Sequence, residues 1–120
     1  MKVSFAAVTA LMLAALAQPA AAGPSSEAHA LFTDLTAAMK KCWFSGDAAF
    51  APYRYAPEVN IGAPRILLVS KKEPHGRPLL VVEPKRAGTA DAYGPLLATG
   101  LAPRIKDDLT RWLKGASACS

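Results

Sequence analysis

The chain has 120 residues, with 14 Lys and Arg against 9 Asp and Glu for a net charge of +5, and only two cysteines. That length admits one small domain and excludes a multidomain protein. The cations are spread along the sequence and not massed on one segment, which excludes a nucleic-acid-binding footprint but leaves a modest attraction to anionic surfaces.

The chain opens with MKVSFAAVTALMLAALAQPAAA: one charge at Lys2, an apolar run from Val3 to Ala17, then Gln18-Pro19 and three alanines. A basic start, a short apolar stretch and a small-residue ending predict a secretory signal peptide over residues 1–22, cut after Ala22. The apolar run is shorter than the roughly 20 residues that span a bilayer. No stable membrane insertion is therefore expected after cleavage, and no Cys follows the run to take a lipid anchor. Removing 22 of the 120 residues leaves 98, and losing Lys2 lowers the net charge to +4. The expected location is the periplasm or the medium.

From Ala28 the apolar residues fall at Leu31, Leu35, Ala38, Met39 and Cys42, with Phe32 and Trp43 beside them. This is the 3.6-residue period of a helix resting one face on a core. Ser25 or Ser26 suits the N-cap, and Lys40 and Lys41 suit the C-terminal end of the helix dipole. Ser45-Gly46-Asp47 stops the helix.

Phe50 to Asn60 carries Tyr53 and Tyr55 around Arg54, bounded by Pro52 and Pro57. Proline cannot donate to a ladder, so only a short or irregular strand is expected there. RILLVS (65–70) and PLLVVE (78–83) read as two strands of an antiparallel hairpin, with the polar tip KKEPHGR (71–77) between them. Ala92 to Ala98 offers a third strand, weakened by Gly94-Pro95. The helical period returns at Leu101, Ile105, Leu109, Trp112 and Leu113, with Pro103 in the first turn and Gly115 as the stop. Arg104, Asp107, Asp108 and Arg111 are assigned to its wet face. The predicted fold is a single α+β domain over 23–120: a small antiparallel sheet of two to three strands flanked by an N-terminal and a C-terminal helix.

Cys42 and Cys119 stand 77 positions apart. In an exported chain an even cysteine count is read as a bridge. CxxC spacing is absent and neither Cys has a neighbouring His, so a metal site is not expected. Closing so long a loop is worth on the order of 4 kcal/mol by chain entropy. The bridge would tie the end of the first helix to the tail after the second.

Candidate chemistry is sparse. His29 and His75 have no H-x-x-x-H or HExxH context. No serine sits in G-x-S-x-G or S-x-x-K, and the glycines are single punctuation marks, not a phosphate-cradling loop. Asp107 and Asp108 are adjacent on a helix, so their side chains diverge instead of sharing a proton. No cofactor or metal is expected, and no catalytic residue is assigned. The candidate binding surface is the basic tip, Lys71, Lys72, His75 and Arg77, together with the Tyr53-Arg54-Tyr55 run.

A helix ending in Lys41-Cys42-Trp43, then a small sheet, then an amphipathic helix followed by a second Cys, resembles the C-terminal periplasmic domains of the TolA/TonB-like superfamily. The resemblance covers element order and the Cys-Trp pair, and implies an α+β module that binds partners and does not catalyse. No binding residue is carried over, because the long helical stalk and membrane anchor of that family are missing. The expected function is that of a small periplasmic, non-enzymatic protein binding an envelope protein or an anionic envelope component. The alternative is a small secreted hydrolase or enzyme inhibitor with an unrecognised site.

Overall fold

The computed structural model describes residues 25–58, 64–86 and 88–120. The expected signal peptide lies outside the described residues. Helix α1 (Ser25–Cys42) is followed by strands β1 (Tyr53–Glu58), β2 (Arg65–Ser70), β3 (Leu80–Pro84) and β4 (Ala90–Tyr93), then helix α2 (Ala102–Leu113). The strands form one antiparallel meander in the order β1-β2-β3-β4. The fold is α+β with four strands, one more than the upper expectation.

The two outer strands account for the difference. β1 pairs along its whole length with β2, from Tyr53 opposite Ser70 to Glu58 opposite Arg65, and Pro57 faces Ile66. A proline is tolerated there because β1 is an edge strand, where only alternate backbone donors meet a partner. β4 comes earlier than expected and is shorter, pairing Pro84 with Ala90 through Val81 with Tyr93. It stops at Gly94, whose φ is +133°. A side chain at that position would put its Cβ 2.5 Å from the Leu79 carbonyl oxygen, so only glycine fits against β3. Pro95 then opens a short 3-10 turn, Pro95–Ala98, where a third strand was expected to continue.

The core is built from alternate strand positions and two helical stripes. Ile66, Leu68, Leu80 and Val82 join Phe32, Leu35, Met39, Ile105, Leu109 and Trp112 in one cluster. Because alternate residues of a strand point to one face, both helices lie on the same face of the sheet. Each of these large side chains contributes about 1.5–3 kcal/mol by leaving water. Trp43, Phe50, Met39, Leu68 and Leu80 are fully buried, with Trp43 stacked on Phe50 at 4.6 Å and Trp112 5.1 Å away. The intervening strand residues Leu67, Val69 and Val81 lie on the other face of the sheet.

The Cys42–Cys119 disulfide is present, closing the loop across 77 positions. It links the end of α1, where Cys42 is buried, to the exposed tail beyond α2. The tail is also held by the Ala118 carbonyl, which accepts from Arg111 Nε and from the Trp112 indole, both at 3.0 Å. No helix among the described residues is long and apolar enough to cross a membrane.

Candidate functional site

The polar tip between β2 and β3 is built by local backbone bonds. Lys72 N–H donates to Ser70 Oγ, Glu73 N–H to the Ser70 carbonyl, and Gly76 N–H to the Glu73 carbonyl at 2.9 Å. Turns satisfied in this way leave their side chains outside, and Lys71, Lys72, His75 and Arg77 are all exposed. Lys71 N–H donates to the Pro52 carbonyl, which seats the tip beside the start of β1.

The Tyr53-Arg54-Tyr55 run is divided by the strand period. Tyr53 and Tyr55 pack against the core cluster on the helix side, while Arg54 is exposed on the opposite face. Tyr55 donates its hydroxyl to Thr36 Oγ1 at 3.2 Å, and its ring lies 5.5 Å from Lys40 Nζ. Tyr55 thus attaches β1 to α1, Tyr53 packs on the core, and Arg54 is exposed on the opposite face.

The path of α1 sets what surrounds the tip. Its first turns, at Glu27, Ala28 and Leu31, share a groove with Lys85, Arg86 and Thr89 of the β3–β4 turn. The residues that follow it, Trp43 and Phe44, line a depression with Asp47, Phe50 and Lys71. The helix therefore runs from the β3–β4 end of the sheet to the β2–β3 end. Lys40 and Lys41, at its C-terminus, arrive at the same end of the molecule as Lys71, Lys72 and Arg77. Antiparallel pairing puts the second basic turn, Lys85-Arg86, at the far end, where Lys85 is paired with Asp91 at 3.4 Å. None of Lys40, Lys41, Arg54, Lys71, Lys72 and Arg77 has an acidic partner among the described residues.

A buried polar cluster ties α2 to the segment after α1 at this end. Asp108, 3 % exposed, accepts from the Trp43 indole at 2.7 Å and from Arg111 at 2.5 Å, with Arg104 Nε at 3.6 Å. This corrects the assignment of Asp108 to the wet face of α2. It pairs with Arg104 and Arg111, but the carboxylate lies inside. Spacing explains the result: position 108 is three residues after Ile105 and four before Trp112, and so falls on the buried stripe. A carboxylate is stable there only because each oxygen has a donor.

Arg104 extends the cluster to Asp47 at 2.5 Å, and its guanidinium lies 5.0 Å over the Phe50 ring. Asp47 also accepts from the Ala49 N–H at 2.9 Å, which caps the 3-10 turn Ala48–Phe50. The Arg104 hydrogen bond, with the Ala49 N–H second, holds the Asp47 carboxyl below the usual carboxylate range. A lowered folded-state pKa means that the unfolded chain binds more protons as the pH drops. The contribution of Asp47 is therefore complete above about pH 4 and fades as pH falls through the folded value. Asp47→Asn should flatten the acid limb of the stability curve, measured as urea midpoints between about pH 4 and pH 2. An unchanged slope would show that the Asp47–Arg104 pair does not couple to folding.

The remaining candidates do not converge. His75 is exposed in the tip, and His29 is half-buried on α1 near the other end. No histidine lines the depression beside Lys71 or the groove of about 510 Å³ between α1 and the tail. Among the described residues no three His, Cys, Asp or Glu side chains are grouped to hold a metal ion. Comparison with protein-family models, with curated proteins and with solved structures found no match for this chain.

Proposed function

We propose that this chain is a non-enzymatic protein of the bacterial envelope that binds an anionic envelope component through the β2–β3 end of its sheet. The observation that carries the reading is the set of exposed cations at that end without acidic partners among the described residues. Charges left unpaired on a small rigid body raise the local concentration of anions and speed encounter with them. The sheet edges offer less. β4 has four residues, and β1 carries Pro57 and follows Pro52, features that discourage addition of a further strand. The periplasm or the medium, reached through a leader cut after Ala22, is the compartment that suits the disulfide.

The test is capture from a bacterial envelope extract with the oxidised protein immobilised. A variant carrying Lys71→Glu, Lys72→Glu and Arg77→Glu should lose the captured component while melting at the temperature of the parent. An unchanged captured set would clear the tip of any role. Intact mass of the exported protein, beginning at Gly23 with both cysteines oxidised, checks the compartment in the same preparation.

A further inference from the structure

We infer that the anionic component is a membrane surface, and that the protein docks on acidic lipid headgroups with the whole β2–β3 end. This rests on the reading above and adds to it the partner class and the part played by α1. Three elements supply the cations: Lys40 and Lys41 from the end of α1, Arg54 from the outer face of β1, and Lys71, Lys72 and Arg77 from the tip. The acidic groups of this end are fewer than its cations. Asp47 is engaged by Arg104, the buried Asp108 by Arg111 and Arg104, and Glu73 stands within the tip, while Asp34 lines the groove beside the tail together with Lys41. The far end mixes signs, with Glu27 near Lys85 and Arg86 and with Lys85 paired to Asp91.

The arrangement fits a plane of headgroups better than a protein partner. Protein interfaces are anchored by aromatic or aliphatic side chains that fill pockets. The one large apolar side chain exposed among the described residues is Tyr93, and it is engaged on the outer face of the sheet, where its hydroxyl donates to Glu83 at 2.6 Å. The tip sequence KKEPHGR offers no such anchor. The cations diverge from three elements and do not close on one pocket, as a single small anion would require. Long, flexible Lys and Arg side chains around one end instead meet many headgroups at once, each adding a similar increment to binding. With no large apolar side chain exposed at this end among the described residues, the protein stays at the surface.

The experiment is co-sedimentation of the oxidised protein with vesicles of phosphatidylglycerol, and separately with vesicles of phosphatidylcholine. Binding is expected to the first and not to the second. It should collapse as salt rises from roughly 0.01 to 0.15 M, where the Debye length shortens from about 30 to 8 Å. Lys40→Gln with Lys41→Gln should weaken binding at least about tenfold, and adding Lys72→Gln and Arg77→Gln should abolish it. Lys85→Gln with Arg86→Gln, at the far end, should leave affinity within about twofold. Equal losses from the two double variants would overturn the inference, since net charge alone would then account for binding. So would absence of sedimentation with phosphatidylglycerol. If the tip-dependent capture from envelope extract persists in that case, the binding function stands and its partner is an acidic protein. Melting temperature, which surface substitutions barely move, confirms that each variant is folded.

Discussion

A Cys42→Ser protein is expected to lose about 3 kcal/mol of stability and to melt roughly 12 °C or more below the oxidised parent. The loss has two sources. The unfolded chain regains the freedom that a link across 77 positions had removed. In addition, Cys42 is a buried member of the core cluster, so serine puts a hydroxyl among apolar neighbours. Cys119→Ser separates the two, because Cys119 is exposed in the tail. It should reproduce the first part of the loss and not the second. The tail itself would then depend on the Ala118 carbonyl and its two donors. Equal melting of parent and both variants under non-reducing conditions would show that the bridge is not a source of stability.

Asp108→Ala is expected to cost about 3 kcal/mol, far more than an ordinary polar substitution on a helix. It strips the buried Trp43 indole of its acceptor and leaves Arg111 without its carboxylate, while Arg104 keeps Asp47. Asp108→Asn keeps an acceptor of the same shape but removes the charge, so it should fall between alanine and the parent. Denaturant midpoints read out the order. A value for Asp108→Ala within about 0.5 kcal/mol of the parent would return the residue to the solvated face.

Asp108 also shows where sequence reasoning reached its limit. The stripe that defines α2 was legible in the spacing of Ile105, Leu109 and Trp112, and that spacing already includes position 108. Residue type pointed the other way, because a lone carboxylate avoids the interior. What rescues it, the Trp43 indole, comes from 65 positions away and leaves no mark on the local pattern. The central hairpin was legible for the opposite reason: β2 and β3 are continuous apolar runs whose burial follows from their own composition. β1 was underestimated since its prolines speak against a strand anywhere except at an edge, and edge position is a property of the finished sheet. The disulfide followed from cysteine count and the expected compartment without any knowledge of geometry.

The candidate site was half visible for a related reason. Lys71, Lys72 and Arg77 stand together in the sequence, so the tip was evident. Lys40 and Lys41 looked like the basic end of a helix and nothing more. Only the direction of α1 across the sheet, fixed by Lys40 of its last turn over Tyr55 and by Phe44 just beyond it against Phe50 and Tyr55, carries them to the tip. Tyr53 and Tyr55 left the candidate surface by the same packing, which the period-2 pattern allowed but did not assign to a face.

The bridge has a mechanical consequence as well. Cys42 is the last residue of α1, so the four strands and α2 lie inside a covalent ring, and the 18 residues of α1 lie on its lead-in. Tension applied between residue 25 and residue 120 passes from the helix through the two sulfurs and bypasses the strands. The helix can unravel from about 1.5 Å to about 3.5 Å per residue, roughly 35 Å in all. Beyond that extension the molecule is taut, while the meander and α2 bear no load.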